Sequence, residues 1–419
     1  SSIKLRLTVM NFLQFAVWGA YLTSMGRYLG TAGFGSEIGN FYAMQGLVSL
    51  FMPALMGIVA DRWIPAQRLL GVCHTLAGML MLGVFLYTQT DAPSYPSLFA
   101  LYSLSVAFYM PTLALSNSVA YTSLDQAGLD LVKSFPPIRV FGTVGFICTM
   151  IAVSLLGLEA TSGQFAVSAI ISLVLAVYAQ TLPNCPTAPK GQSKSLVEAL
   201  GLRAFVLFKQ RKMALFFIFS MLLGVSLQIT NGFANPFIST FGEIPAYADT
   251  FGVKYANILI SLSQLSETLC ILLIPFALRR FGIRRVMLIA MVAWVLRFAL
   301  LGLGNPGSGV WLFLLSMIVY GVAFDFFNVS GSLFVDKETD PSIRSSAQGL
   351  FMIMTNGIGA TLGSLGAQAV INHFVSSQTE TTAVLAGWSM SWYIFAGYSA
   401  VVAVLFALLF RYNTATEAK

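Results

Sequence analysis

The stretch "SMIVYGVAFDFFNVSGSLFV", residues 316–335, is apolar or small at almost every position, yet Asp325 stands in its middle. A helix of about 20 such residues is long enough to cross the hydrocarbon of a bilayer. A carboxylate at the centre of that helix costs about 2.5–3.5 kcal/mol on insertion scales. The stretch therefore says two things. Lipid is the solvent for this segment, and Asp325 is there for something other than packing.

Eleven further stretches of the same kind lie near residues 6–28, 37–60, 69–90, 96–122, 136–157, 164–183, 212–238, 253–277, 284–303, 343–372 and 389–410, and the quoted run falls inside a twelfth at 308–335. Of the 419 residues, 57% are hydrophobic and 9% charged. Soluble domains carry about 25% charged residues, so most of this surface faces lipid. Alternating apolar and polar runs, as an outer-membrane barrel requires, do not dominate. The expectation is an all-α membrane protein with twelve transmembrane helices. The first shows no small-residue cleavage site and reads as a permanent span.

Charge sets the orientation. With the N-terminus inside, Lys4, Arg6, Arg62, Arg68 and Lys133 fall on or near the inner side. So do the basic residues from Lys190 to Lys212, the cluster Arg279, Arg280, Arg284 and Arg285, and the tail's Arg411 and Lys419. The outer side keeps little more than Arg27 and Lys254. This asymmetry places both termini in the cytoplasm. The net charge of +7 thus reports topology and not a nucleic-acid partner.

Catalytic chemistry finds no foothold. Cys73, Cys148, Cys185 and Cys270 lack the paired spacing of disulfides or zinc sites, and they read as small packing residues. His74 and His373 have no metal-ligand neighbours in sequence, and no glycine-rich phosphate loop is present. No nucleophile–base set is seen either. Neither an enzyme, a metal site, a cofactor nor an ATP-driven pump is expected.

The longest polar connection, "LPNCPTAPKGQSKSLVEALGLRAFVLFKQRK" at 182–212, falls between spans six and seven. It divides the chain into an N-terminal six-helix half at 1–183, a cytoplasmic linker at 184–211 and a C-terminal six-helix half at 212–419. The part "SLVEALGLRAFVLF" has the pattern of an amphipathic helix lying on the inner membrane surface. The halves echo each other. "FPPIRVFGTVGF" opens span five and "DPSIRSSAQGLF" opens span eleven, which puts Arg139 and Arg344 in matching places. Two six-helix repeats with a substrate held near the midplane between them is the major facilitator layout. The inner-loop segment around Asp61 and Arg62 fits that layout too, with gating by charge pairs as the expected role. A plain positive-inside loop accounts for either arginine of that loop equally well.

Of sixteen acidic residues, only Glu267 and Asp325 lie deep inside spans. Asp325 is eleven residues before Asp336, and Glu267 is twelve before Arg279. At about 1.5 Å per residue both sit roughly 16–18 Å from the inner surface, near the midplane. Other polar and aromatic residues share helical stripes: Arg139, Thr143 and Phe146 in span five, Gln228 and Asn231 in span seven, Gln264 and Glu267 in span eight, and Tyr320 and Phe324 in span ten. Any one amide is explained as interhelical glue. Four helices offering such stripes at similar depth point instead to a cavity for a neutral, flat, hydroxylated solute. Amides match a nucleobase edge, and aromatic rings offer stacking faces.

At these residues the chain resembles the nucleoside:proton symporter family of the major facilitator superfamily. The resemblance runs from "NFLQFAVWGAYLTSMGRYL" (11–29) to "IFAGYSAVVA" (394–403). It is strongest at "FMPALMGIVADRW", "FPPIRVFGTVGFI", "FFIFSMLLGVSLQITN", "SQLSETLCILLIPF", "VAWVLRFAL" and "RSSAQGLFMIMTNG". It implies a monomeric importer of nucleosides such as uridine or adenosine, driven by protons, in the bacterial inner membrane. Arg139, Thr143, Phe146, Gln228, Asn231, Gln264, Glu267, Tyr320 and Phe324 would hold the nucleoside. Asp325, with Glu267 as a second candidate, would carry the proton. A carboxyl group holds its proton in an apolar setting and gives it up beside a cation. Loops at 182–194, 241–252 and 373–388 depart from the family, which leaves purine or pyrimidine preference open. The rival readings are a carrier for a sugar or nucleobase, and a non-transporting sensor on the same fold.

Overall fold

The computed structural model describes residues 2–189, 191 and 195–411, so that Lys190, Lys194 and Lys419 of the basic count lie outside the described residues. All regular structure among the described residues is helical. In lipid a backbone must satisfy its own N–H and C=O groups, and a helix does so within one segment. We label the helical spans in chain order. They are α1 (Ser2–Gly19, resuming as Met25–Thr31), α2 (Gly35–Arg62), α3 (Ala66–Thr88), α4 (Tyr95–Gln126), α5 (Leu131–Leu155) and α6 (Gly163–Ala179), then α7 (Arg211–Glu243), α8 (Ala256–Phe281), α9 (Ile283–Leu303), α10 (Val310–Glu338), α11 (Arg344–Ser376) and α12 (Thr381–Leu409).

Ten of these are long and apolar enough to cross a membrane unaided. The two others are shorter than expected, for local reasons. The α1 helix stops at Gly19, and the chain turns with Tyr21 N bonded to Trp18 O and Ser24 N to Tyr21 O before helix resumes. The α6 helix has only 17 residues and ends before Gln180.

Several spans are broken inside. In α7 the chain turns over residues 225–228 before the helix resumes at Ile229. In α8 a single 3-10 turn, Ile271–Leu273, precedes Pro275, whose ring removes an amide donor. In α11 the segment Ile353–Gly359 winds as a π-helix, a form that concentrates at functional sites. The linker residues Leu196–Ala199 and Leu202–Lys209 form one α-helical turn and a 3-10 stretch in place of a continuous amphipathic helix. Gly201, with a φ of 71°, separates them.

The chain divides into two compact units, Ser1–Phe34 with Met44–Leu200, and Gly35–Ala43 with Gly201–Lys419. In unit 1 the backbones of α1 and α5 touch. A Cβ on Gly145 would lie 2.1 Å from Phe12 O, and one on Gly19 would lie 2.4 Å from Phe146 O. Only glycine lets helices approach this closely. In unit 2 the same device joins α7 to α11, where a Cβ on Gly363 would lie 1.9 Å from Val225 O. That contact sits beside the break that carries Gln228. The first nine residues of α2, Gly35–Ala43, count with unit 2, where Gly39 N donates to Gln368 Oε1 at 2.6 Å.

Candidate functional site

Unit 2 carries most of the expected site. The breaks in α7 place Gln228 at the start of the helix that resumes there, and Asn231 Nδ2 donates to Gln228 Oε1 at 2.9 Å. The two amides therefore form one element, as their i, i+3 spacing requires. Both are half-buried, so the amide atoms not spent on each other remain able to bond a ligand.

The α8 and α10 helices meet through small residues. A Cβ on Gly321 would fall 2.4 Å from Ser266 O, Ser266 bonds to Ile318 O, and Ser263 Oγ donates to Met317 Sδ at 2.9 Å. This close approach brings Glu267, the neighbour of Ser266, within electrostatic range of both Tyr320 and Asp325. The two deep acids thus do share a neighbourhood, as their equal depth predicts. Asp325 is 3% exposed, and its Oδ2 has no hydrogen-bond partner among the described residues. Tyr320 and Phe324 stack with ring centroids 5.7 Å apart and an interplanar angle of 23°. Gln264 lies half-buried one turn before Thr268, whose hydroxyl bonds its carbonyl oxygen at 3.1 Å.

In unit 1, Arg139, Thr143 and Phe146 lie along α5. The Arg139 guanidinium lies 4.0 Å from the centroid of the Phe15 ring on α1, a cation–π contact. Phe146 is buried and meets Trp18 edge-on at 6.2 Å, and Trp18 in turn packs on Tyr109 at 5.9 Å. Trp18 Nε1 has no acceptor among the described residues. Thr143 is half-buried between Arg139 and Phe146 on the same stripe. At the end of α2, Asp61 O accepts from Ala188 N at 2.7 Å, which ties the start of the linker to the inner-loop segment. Arg62 is exposed in the last turn of that helix, where a cation complements the helix dipole.

Arg297 is a buried cation outside the expected stripes. It lies in the middle of α9 with 2% of its surface exposed, against Tyr320. The signal lies in "VAWVLRFAL", where Arg297 is the one cation of α9 beyond Arg284 and Arg285 of its first turn.

The family model described as "Nucleoside H+ symporter" matches residues 1–415. The xanthosine permease of Escherichia coli (strain K12) is 49% identical over 98% of this chain and 97% of its own length. The nucleoside permease NupG of the same strain is 46% identical over 98% of this chain and 97% of its own. A crystal structure of the nucleoside transporter NupG with one aspartate-to-alanine substitution superposes with a TM-score of 0.91, at 46% identity, over 98% of this chain and 100% of that chain. The fold is therefore the major facilitator fold expected from the repeat. The chain belongs to the nucleoside H+ symporter family.

Proposed function

We propose that this symporter imports nucleosides across the bacterial inner membrane as a monomer, with both termini in the cytoplasm, and that Asp325 carries the coupled proton. The observation that supports this most is the grouping in unit 2. A buried carboxylate with an unpartnered oxygen stands beside a second acid, one residue from a stacked aromatic pair. Gln228, Asn231 and Gln264 bond the nucleobase edge or the sugar, Glu267 accepts from sugar hydroxyls, and Tyr320 and Phe324 stack on the base. Arg139, Thr143 and Phe146 of unit 1 bind the same substrate. The stretches 1–183 and 212–419 act as the two moving halves, joined by the linker at 184–211. Asp61 and Arg62 serve as gating charges at the inner rim.

Coupling alternating access to a proton needs a group that takes up a proton on one side and releases it on the other. Loaded with a proton and a nucleoside, Asp325 is neutral and the loaded carrier reorients. Release of the proton to the cytoplasm leaves a carboxylate, and the cycle closes once that carboxylate is protonated again from outside. The substrate is tested by uptake of radiolabelled uridine, adenosine, xanthosine and a sugar in transporter-deficient cells. Accumulation of the sugar alone would overturn the assignment. Orientation is tested with single cysteines in the 184–211 segment on a cysteine-free background. They are expected to resist impermeant thiol reagents in intact cells, and ready labelling from outside would invert the topology.

A further inference from the structure

Arg297 is a buried cation without a buried anion. A guanidinium inside a span is costly, and such groups are ordinarily paired with a carboxylate. No Asp or Glu lies within ion-pair distance of it among the described residues. Its side-chain hydrogen bonds and its ring contact fall on one stripe of α10 instead. Nη1 donates to Ser316 Oγ at 3.3 Å and lies 3.1 Å from Met317 Sδ, and the guanidinium carbon stands 4.9 Å from the centroid of the Tyr320 ring. Ser316 Oγ in turn donates to Arg297 O at 2.9 Å, so the hydroxyl holds both ends of the arginine. Nε has no acceptor.

Interhelical glue would need only the Ser316 bonds, which a neutral amide makes as well. A site for an anionic ligand would need an accessible guanidinium, and this one is enclosed. What a planar cation adds is the ring contact. Tyr320 is held from three sides: by Arg297 over its face, by Trp294 edge-on at 5.8 Å and 88°, and by Phe324 stacked along the helix. Trp294 and Arg297 are i, i+3 on α9, so one face of that helix sets the plane of the ring. Glu267 and Asp325 lie on the electrostatic horizon of the same ring, and the arginine supplies the opposite sign there.

We infer that Arg297 is a positioning residue for nucleoside binding: stacked on Tyr320 and anchored by Ser316, it fixes the plane of the Tyr320–Phe324 pair on which a base would stack. The inference rests on the assignment of Tyr320 and Phe324 to the nucleoside site. Titration calorimetry of uridine binding to the purified full-length protein tests it, with Arg297→Met, Arg297→Lys, Tyr320→Ala and the Arg297→Met/Tyr320→Ala double variant. Arg297→Met removes the charge at similar volume and is expected to raise Kd about tenfold. Arg297→Lys keeps the charge without the planar face and is expected to weaken binding by a smaller factor. The double variant is expected to bind no more weakly than Tyr320→Ala alone, because the arginine acts through the ring. A merely structural arginine would lower the melting temperature and leave Kd unchanged, and its effect would add to that of Tyr320→Ala. If Arg297→Met does not fold, Ser316→Ala frees the guanidinium from its anchor and is expected to raise Kd severalfold. Parental affinity in the folded arginine or serine variant, with Tyr320→Ala impaired, overturns this inference alone. Parental affinity in Tyr320→Ala overturns the site assignment and the inference with it.

Discussion

The two units treat their buried ionisable side chains in opposite ways. In unit 1, His74 is fully enclosed, with Nε2 2.8 Å from Gln14 Oε1 and Nδ1 3.0 Å from Ser172 Oγ. Gln14 Nε2 donates to Thr112 Oγ1 at 2.8 Å, Tyr109 donates to Gln14 O at 2.8 Å, and Ser172 donates to His74 O at 2.8 Å. This network knits α1, α3, α4 and α6 together, and its side chains are spent on one another. In unit 2, Asp325 Oδ2 and Arg297 Nε are equally buried and have no hydrogen-bond partner among the described residues. A satisfied neutral network rigidifies a core. A buried ionisable group with an unmet hydrogen bond costs stability, so its retention points to a ligand, a proton or a ring to act upon. Burial of ionisable groups is thus common to both units, and the unfilled bonding capacity of those in unit 2 sets them apart.

The largest effect is expected where that capacity is charged. Asp325→Asn has nearly the shape of the parent and cannot release a proton at working pH. In proteoliposomes it is expected to lose accumulation driven by a proton gradient while retaining exchange of labelled for unlabelled nucleoside, since exchange needs no proton release. Full gradient-driven accumulation by this variant would move the proton elsewhere, with Glu267→Gln the next substitution to measure.

Gln228→Ala is next. It removes the acceptor of Asn231 Nδ2 and the proposed nucleoside contact together. A buried hydrogen bond lost costs about 1–3 kcal/mol, which is roughly a tenfold or larger rise in Kd. Binding of uridine at parental strength would mark the amide pair as glue and weaken the contrast between the units.

His74→Ala probes the other side of the comparison. It leaves Gln14 Oε1 and Ser172 Oγ without their ring partner. The expected result is a loss of about 1–3 kcal/mol of stability, seen as a lower midpoint in thermal denaturation, with KM for nucleoside unchanged. A severalfold change in KM at full stability would show that unit 1 hides a functional group in its network.

The smallest effect is expected at the surface. Asp249 and Lys254 face each other at 3.8 Å with both side chains exposed. Exposed pairs of this kind contribute little, so Asp249→Asn should leave melting temperature and uptake as they are. A clear loss of either would mean that surface charge matters here more than buried charge.

Much of this protein is determined by its sequence alone, and the reason is that lipid transfer and helix geometry are local. Each span is the sum of its own residues, so all twelve are legible, as is the cost of Asp325 and Glu267 inside them. Contacts within one helix follow from 3.6 residues per turn, which is why the Gln228–Asn231 bond and the Tyr320–Phe324 stack stand where the spacing puts them. The family, too, is carried by short motifs in single spans. What only the tertiary structure decided lies between helices. His74 meets Gln14 and Ser172 across 60 and 98 residues of chain, and Arg297 meets Tyr320 only because α9 and α10 pack in one particular register. The breaks in α1 and α7 and the π-helical turns of α11 belong to the same class. They occur where glycines let two backbones touch, and which backbones touch is a property of the packed bundle that no single span contains.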